Sequence, residues 1–311
     1  MCGRFASARK RQELLEEFQV QRDQVTKPLE PDYNVAPTRR VYAVLSRQDS
    51  ESSADGAAPV ADGAAPAAAG TLSAGDGAPS APAGPPSADQ QDGVRELRVV
   101  RWGLVPFWAK DISIGNRMIN ARAETVAEKP AFRRAFARRR CLIPADGYYE
   151  WMKVGDPDHP RKQPYFIHRA DGGILSFAGL YELWRDKDLP DDHPDSWLWT
   201  ATIITTTAED EIGQIHDRMP MVIDSSRWAD WLDPAATSPE DLRGLLVPAI
   251  SAHLASHPVS TEVNSVRHNG PGLMEPIATE AEPAGASPAP APRAAGSGPE
   301  EAARSASGKL F

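Results

Sequence analysis

Cysteine is scarce in this chain of 311 residues, which contains only Cys2 and Cys141. Two cysteines cannot build a disulfide scaffold or a four-cysteine zinc site. Long hydrophobic runs are also missing, and no stretch approaches the roughly 18 uncharged apolar residues that a membrane helix requires. The first residues have no apolar core of signal-peptide length. We therefore expect a protein of the reducing cytoplasm, with free thiols and no membrane partner.

Two segments lack bulky apolar side chains at any regular spacing, residues 48–94 and residues 278–311. Such segments cannot bury enough surface to offset their conformational entropy. We therefore predict a disordered insertion at 48–94 and a disordered tail at 278–311. The insertion has seven acidic residues and no Lys or Arg, so it supplies most of the net charge of −9. The rest of the chain is nearly neutral and can carry a local basic patch, which keeps nucleic acid among the expected partners.

Two segments rich in β-forming residues flank this insertion, residues 40–46 before it and residues 97–102 after it. The simplest interpretation is a hairpin with a lengthened tip, because long loops add little closure entropy. The folded body is then one domain within residues 1–277. Strands often follow one another directly, without regular βαβ alternation. We predict an α+β fold around a curved, mostly antiparallel β-sheet or open barrel with flanking helices.

Local patterns predict further elements of this domain. Ser7 is a suitable N-cap for a helix whose apolar face includes Leu14 and Phe18. Residues 130–140 have the pattern of a basic amphipathic helix. Other strands are predicted at residues 141–144, 163–168, 174–180 and 199–206, and short helices at residues 225–232 and 239–246.

Cys2 has the most informative position in the chain. Methionine is normally removed when a small side chain follows it, and this exposes an α-amine and a thiol on one carbon framework. Their ordinary pKa values, about 7.7–8.0 and about 8.5, leave reactive fractions near neutral pH. Such an aminothiol can act as a nucleophile, or condense with an aldehyde to an imine that the thiolate closes into a thiazolidine. The alternative is an accidental cysteine in a frayed terminus, whereas Cys141 begins an apolar strand and is interpreted as core.

Two other segments place titratable groups beside aromatic or charged neighbours. Glu150 lies in the segment Tyr-Tyr-Glu-Trp after a turn. Aromatic flanks can desolvate a carboxylate and raise its pKa into the range of acid–base catalysis, although a surface glutamate on an alternating strand is the alternative. His216 lies in Ile-His-Asp-Arg-Met-Pro. Its ordinary pKa of about 6.5 suits proton transfer, and the alternative is a histidine satisfied locally by Asp217.

One part of the chain combines polar and aromatic residues that fit a nucleic-acid surface. On a strand, Asn120 and Arg122 share one face and offer amide hydrogen bonds and a phosphate clamp. Phe107 and Trp108 lie beside a proline in a predicted loop, where exposed rings can stack on bases. The alternative for both rings is ordinary core packing. The chain has no Gly-rich phosphate loop and no GxSxG elbow, and we predict neither a metal site nor a cofactor.

Together these segments resemble the SOS response-associated peptidase (SRAP) family, the abasic-site processing proteins. Each motif is weak alone, but their order along the whole body, with cysteine at position 2, is highly specific. The matching segments are Met-Cys-Gly-Arg-Phe-Ala at 1–6, Tyr-Asn-Val-Ala-Pro at 33–37, Trp-Gly at 102–103, Pro-Phe-Trp at 106–108, Ile-Asn-Ala-Arg-Ala-Glu-Thr at 119–125, Pro-Ala-Asp-Gly-Tyr-Tyr-Glu-Trp at 144–151, Phe-Ala-Gly-Leu-Tyr at 177–181, Ile-His-Asp-Arg-Met-Pro at 215–220, and residues 259–276.

The resemblance implies a covalent sensor of abasic sites in single-stranded DNA that shields the lesion in the DNA damage and SOS response. It implies that Cys2 forms a thiazolidine crosslink with the ring-opened sugar aldehyde and that Asn120 holds the crosslink. Glu150 and His216 are implied to move protons during ring opening and imine formation. The residues expected to line the path of the DNA are Arg4, Phe107, Trp108, Arg122, Tyr149 and Arg218.

Two other functions stay open at the level of the sequence. The family's name reflects a thiol autopeptidase, in which Cys2 attacks an amide with His216 or Glu150 as base. The third alternative is a non-catalytic single-stranded DNA-binding protein. The first two are enzymes of the thiol hydrolase class, and an imine intermediate adds an expected lyase activity. We expect a monomer in the cytoplasm, associated with the nucleoid.

Overall fold

The computed structural model describes residues 2–47, 93–190, 192–193, 196–208, 210–249 and 253–278. Most of the predicted insertion and tail lies outside these residues, so their disorder stays a prediction. Gly93 and Val94 are described, and Val94 is the first residue of a strand rather than the end of the insertion. The described residues up to Ile277 belong to one compact unit.

Short strands make up most of the regular structure in the described chain. The strands are β1 (Phe5–Ser7), β2 (Arg22–Asp23), β3 (Asp32–Val35), β4 (Arg40–Arg47), β5 (Val94–Trp102), β6 (Asn120–Arg122), β7 (Arg140–Ala145), β8 (Gly147–Val154), β9 (Arg161–Arg169), β10 (Leu175–Arg185), β11 (Trp197–Thr207), β12 (Arg218–Pro220) and β13 (Leu254–Pro258). The α-helices are α1 (Arg11–Glu17), α2 (Arg133–Arg138), α3 (Asp210–Ile215), α4 (Trp228–Leu232) and α5 (Pro239–Gly244). Short 3₁₀ helices are found at Ile112–Arg117, Ser225–Arg227, Thr261–Asn264 and Pro271–Met274.

The described strands form two sheets. The smaller has the order β13-β9-β8-β1-β3, and its neighbouring strands are antiparallel. The larger has the order β12-β11-β10-β7-β4-β5-β2. A further parallel pairing of β5 with β11 closes β11, β10, β7, β4 and β5 into a barrel. The predicted α+β fold around a curved, mostly antiparallel sheet is confirmed, with β2 and β6 adding parallel pairings at the barrel.

The hairpin predicted on either side of the insertion is confirmed. Strands β4 and β5 are antiparallel, and Arg47 pairs with Val94 where the chain leaves and re-enters the sheet. Because the residues on either side of the insertion pair with each other, β4 and β5 form one continuous ladder although the insertion separates them in the sequence. The insertion therefore enters and leaves at one end of a regular hairpin.

Strand β4 separates two hydrophobic cores. Because side chains alternate along a strand, Val41, Ala43 and Leu45 face one core, and Tyr42 and Val44 face the other. The first core includes residues of both sheets, and the second includes residues of the short helices. Such burial on both faces explains why residues 40–46 form an almost continuous apolar run.

An aromatic pair lies in each core. In the first core, Phe5 of β1 contacts Trp102 of β5 edge to face, with ring centroids 5.0 Å apart. In the second, Phe18, which follows α1, stacks on Trp228 of α4 at 4.4 Å. The first pair joins the two sheets, and the second attaches two helical segments to each other.

Two local predictions are wrong in detail. Ser7 is not an N-cap, because it belongs to β1, where it pairs with Asp32. The helix begins at Arg11 after Lys10, which makes no side-chain cap hydrogen bond. The helix predicted at 130–140 is shorter, since Arg140 already belongs to β7 and pairs with Leu180 of β10. In both cases pairing with a distant strand overrides a local helical signal. The other predicted strands and short helices are confirmed within a few residues.

Candidate active site

Cys2 lies in the core between the two sheets and has no exposed surface. It lies three residues before β1, whose pairing with both β3 and β8 carries the start of the chain into the interior. The Cys2 Sγ atom lies 3.8 Å from the backbone oxygen of Arg4. Burial raises the pKa of the thiol far above its ordinary value, and the negative charge of Glu150 raises it further. The expectation of a frayed terminal cysteine is therefore wrong.

Asn120 holds the main chain of Cys2. Its Nδ2 donates a hydrogen bond of 2.7 Å to the Cys2 backbone oxygen. Asn120 is the first residue of β6, which pairs in parallel with β11 through Ile203, so the barrel fixes its position. Its Oδ1 is buried and has no hydrogen-bond partner in the described part of the chain. The Nδ2 atom of Asn120 is therefore bonded to Cys2, whereas its Oδ1 atom remains available as a hydrogen-bond acceptor.

Glu150 is a buried carboxyl at the same site, with 4% of its surface exposed. It lies on β8 directly after Tyr149, whose backbone N–H donates a hydrogen bond to the Arg4 oxygen at 3.0 Å. Burial raises the pKa of Glu150, and nearby positive charge, including that of His216, acts in the opposite direction. The interpretation as a surface glutamate is therefore wrong, and the desolvated carboxyl predicted from its aromatic flanks is confirmed.

His216 follows α3 and lies close enough for its charge to act on Glu150. Its Nδ1 accepts a hydrogen bond from the Arg218 N–H at 2.9 Å, which assigns the proton of the neutral ring to Nε2. The Asp217 carboxyl also lies 3.0 Å from Nδ1, and that side chain is largely exposed. The sequence left two alternatives for His216, a local contact with Asp217 and a position suited to proton transfer. The structure shows the contact with Asp217 and also places His216 near Glu150.

Tyr148 is the residue at this site that sequence reasoning missed. Side chains two residues apart share a strand face, so Tyr148 and Glu150 lie on one face of β8, and Tyr149 lies on the other. Tyr148 belongs to the core of Cys2, whereas Tyr149 belongs to a separate core with Phe166. The period of two along 147–151 was the signal that could have selected Tyr148.

Tyr149 is fully buried, and Arg4 is partly buried with its guanidinium bonded within the protein. Tyr149 has no exposed surface, and its hydroxyl donates to the Tyr33 oxygen at 2.8 Å. In this structure it offers no surface to a DNA strand, which corrects the sequence expectation. The Arg4 guanidinium donates to Asn34 Oδ1 at 2.6 Å and to the Val263 oxygen at 2.8 Å. Arg4 therefore ties β3 and the segment after β13 to β1, and a DNA contact by it stays a prediction.

The predicted aromatic pair lies at the surface. Phe107 and Trp108 are each 50% exposed, so the interpretation as ordinary core is wrong for both. The Arg134 guanidinium of α2 lies 4.4 Å from the centroid of the Phe107 ring. An arginine over an aromatic face is attracted by the ring quadrupole, and this contact holds the exposed loop against the helix.

The two other predicted arginines differ in their surroundings. Arg122, at the end of β6, is exposed. Arg218, at the start of β12, makes an ion pair with Glu124 through contacts of 2.6 and 3.0 Å. It also donates to the Thr205 oxygen at 2.6 Å. The structure therefore brings Cys2, Asn120, Glu150 and His216 together, and leaves Arg122 as the more accessible cation beside Asn120.

Two histidines have a spacing of four residues that the sequence prediction overlooked, His253 and His257. That spacing brings two imidazoles together on a helix, but these residues lie just before and within the extended strand β13. His257 instead contacts His168 of β9, with ring centroids 5.2 Å apart. No group of three or more metal-ligating side chains occurs among the residues that the structure describes. Within this part of the chain, every helix also falls short of the length and apolar character needed to span a membrane.

The fold and the site define a two-sheet α+β protein whose second residue is a buried cysteine with an amide, a carboxyl and an imidazole around it. This chain belongs to the SOS response associated peptidase (SRAP) family, whose family model matches residues 1–266.

Some curated relatives match this chain over nearly their whole length, and others match it over only part of their length. The abasic site processing protein YoqW of Bacillus subtilis is 34% identical over 275 residues, which cover 88% of this chain and 99% of that protein. The abasic site processing protein HMCES of Gallus gallus is 33% identical over 212 residues, covering 61% of this chain and 60% of its own length. The resemblance noted in the sequence is thus confirmed.

Solved structures support the same fold. A protein from Bacteroides thetaiotaomicron superposes with a TM-score of 0.64 at 24% identity, covering 89% of this chain and 100% of its own. A protein from Bordetella bronchiseptica superposes with a TM-score of 0.53 at 22% identity, covering 83% of this chain and 100% of its own. At these identities the likeness concerns the fold alone.

Proposed function

We propose that this chain recognises abasic sites in single-stranded DNA and forms a covalent crosslink with them through Cys2 after removal of Met1. The observation that carries the proposal is the buried Cys2, whose main chain is held by Asn120 beside the Glu150 carboxyl. Membership of the SRAP family, with relatives named abasic site processing proteins, supports the choice of lesion. The crosslink shields the lesion from other chemistry.

The proposed reaction begins at the α-amine. An abasic site in its ring-opened form has an aldehyde, and the Cys2 amine adds to the aldehyde carbon. The resulting carbinolamine loses one water and becomes an imine. The thiolate then adds to the imine carbon, the nitrogen takes a proton, and a thiazolidine closes. The product has the mass of protein plus DNA minus one water, and the balance needs no oxidant or reductant.

The charges at the site favour this order of steps. The Cys2 thiol is neutral in the free protein, because burial and the Glu150 charge raise its pKa. A protonated imine next to the sulfur supplies a positive charge, which lowers the pKa of the thiol and favours the thiolate. The amine therefore reacts first, and the sulfur becomes nucleophilic when the imine has formed.

Glu150 and His216 are the proton carriers in this scheme. The raised pKa of Glu150 keeps a larger fraction of the carboxyl protonated near neutral pH, so it can protonate the hydroxyl that leaves the carbinolamine. His216 presents an Nε2 proton when neutral and a positive charge when protonated. It can return a proton to Glu150 after the water has left.

Surface residues around the site suit a single strand of nucleic acid. Phe107 and Trp108 offer exposed rings on which bases can stack. Arg122 is exposed two residues after Asn120 and can contact a phosphate. In this proposal these three residues hold the strand while the aldehyde reaches Cys2, which replaces a slow bimolecular condensation.

Intact mass spectrometry tests the proposal directly. The purified protein is measured before and after it is mixed with a single-stranded oligonucleotide that carries one abasic site. We expect loss of Met1 and an adduct equal to protein plus oligonucleotide minus one water. The same oligonucleotide without the lesion serves as the control and should give no adduct. Retained Met1 contradicts the proposal, because Cys2 then lacks a free amine.

The two other functions predict different outcomes of the same experiment. A thiol peptidase gives no DNA adduct but cleaves a peptide bond beyond Met1 in a Cys2-dependent manner. A passive DNA-binding protein gives neither product and binds damaged and undamaged strands equally, with strong salt dependence.

A further inference from the structure

The Tyr148 side chain is a polar group at the site that the reaction proposed above does not use. The residue is completely buried and lies in the core cluster that contains Cys2. Its ring contacts Phe177 edge to face, with centroids 6.1 Å apart. Its hydroxyl has no hydrogen-bond partner among the residues that the structure describes. Because a buried hydroxyl without a partner costs free energy, such a group calls for an explanation.

Strand geometry places the Tyr148 side chain on the side of β8 that belongs to the site. Tyr148 pairs with Phe5 of β1, three residues after Cys2, and lies on the same face of β8 as Glu150. Burial raises the pKa of Tyr148 well above its ordinary value, and Cys2 and Glu150 raise it further when they are ionised. The hydroxyl therefore keeps its proton and can act only as a neutral donor or acceptor at neutral pH.

The site contains a second buried polar atom without a partner, Asn120 Oδ1. Asn120 is bonded to the main chain of Cys2, and Tyr148 belongs to the same core cluster as Cys2, so both unused groups belong to residues around one cysteine. One donor and one acceptor left open around a reactive residue indicate a site that is completed by its substrate.

We propose that the Tyr148 hydroxyl is a further catalytic residue of the crosslinking reaction, which donates a hydrogen bond to the Cys2 sulfur while the thiolate attacks the imine carbon. This inference rests on the function proposed above. The tyrosine keeps its proton throughout, so the balance of the reaction does not change. The hydroxyl acts on ring closure and not on the earlier formation of the imine.

The variant Tyr148→Phe tests the inference, because it removes one oxygen and keeps the ring against Phe177. The variant and the wild type are mixed with the abasic oligonucleotide, and two products are followed in time. Borohydride reduction traps the imine, and the thiazolidine is counted as the crosslink that survives denaturation without reductant. We expect imine formation at the wild-type rate and ring closure slowed about threefold to tenfold, as for the loss of one hydrogen bond.

The pH dependence of ring closure is a second readout. The titratable groups that face the hydroxyl are the Cys2 thiol and the Glu150 carboxyl, and the charge of His216 acts on Glu150. A hydrogen bond to a thiolate favours the charged form. Without the donor, the rise of the ring-closure rate with pH should therefore move to higher pH in Tyr148→Phe.

The matched control is Tyr42→Phe, another buried tyrosine, in the other core. Its hydroxyl accepts a hydrogen bond from the Leu29 N–H at 2.7 Å, so the variant should lose stability with unchanged partition between imine and thiazolidine. Equal ring closure in Tyr148→Phe and wild type at every pH overturns the inference and leaves the proposed function intact. Equal slowing of both steps, with lower thermal stability, also overturns it, because the hydroxyl is then structural. If the wild type itself gives no adduct, the proposed function fails first.

Discussion

Asn120 Nδ2 donates a 2.7 Å hydrogen bond to the backbone oxygen of Cys2, a residue 118 positions earlier in the chain. The same amide has a buried Oδ1 without a partner in the described structure. One end of the side chain therefore positions the cysteine, and the other end is an acceptor for a group that arrives with the reaction. We expect that group to be a hydroxyl of the ring-opened sugar.

Replacing Asn120 with Ala should lower the rate of crosslink formation by roughly tenfold or more, since the main chain of Cys2 loses its only described side-chain hydrogen bond. A time course on denaturing gels with the abasic oligonucleotide measures this rate. Arg122→Ala, on the same strand, is the comparison, because it should weaken DNA binding and leave the rate at saturating DNA near the wild-type value. Wild-type rates in Asn120→Ala would contradict the role of the amide.

Replacing Cys2 with Ser should abolish the stable crosslink, because oxygen at this position cannot close a thiazolidine. The amine remains, so the variant should still form an imine that borohydride traps and that promotes strand scission. Cys141→Ala provides the control with an equally buried thiol, and it should crosslink normally at a cost of about 1 kcal/mol in stability. A stable crosslink in Cys2→Ser would falsify the thiazolidine.

Glu150 should make the free energy of unfolding depend on pH. Its pKa in the folded protein is raised above the ordinary value of 4.5 by burial. The stability that this carboxyl contributes is therefore fully present below about 4.5 and is lost as the pH rises through the folded pKa. Glu150→Gln resembles the protonated form and removes this dependence.

Urea unfolding of both proteins across this range of pH measures the effect. We expect the stability of Glu150→Gln relative to the wild type to increase as the pH rises from about 4.5 through the folded pKa of Glu150, and then to level off. A difference that stays constant with pH would show that the carboxyl is not desolvated. In the same samples Glu150→Gln should slow crosslinking, since the amide cannot transfer a proton.

Arg134→Ala should weaken binding of single-stranded DNA with only a small loss of thermal stability, about 0.5–1 kcal/mol for an exposed cation–π contact. The guanidinium lies over the exposed Phe107 ring, so its loss removes a cation from the expected path of the strand. The slope of log affinity against log salt should fall by about 0.7, the value for one phosphate contact of a single strand. Arg161→Ala, an exposed arginine at the start of β9, is the control and should leave that slope unchanged. Equal slopes for both variants would remove Arg134 from the DNA surface.

Several parts of the structure follow directly from local sequence. The apolar runs at 40–46 and 97–102 form the predicted hairpin, because strand propensity and burial act on the same residues. The aromatic flanks of Glu150 correctly indicated a desolvated carboxyl, and the proline-bounded loop correctly indicated exposed rings at Phe107 and Trp108. Ser7 failed as a cap because its extended backbone is held by pairing with a distant strand.

The sequence by itself determined the cysteine at position 2, the α+β class and the order of the family motifs, since each depends on residue type or short-range periodicity. Tertiary structure alone decided that Tyr148 rather than Tyr149 faces Cys2, and that Arg4 is bonded to Asn34. It also decided that β5 pairs with β11 to close the barrel and that Asn120 reaches Cys2. The physical reason is that the period of a strand fixes which residues share a face, whereas the partner of each face depends on how distant segments pack.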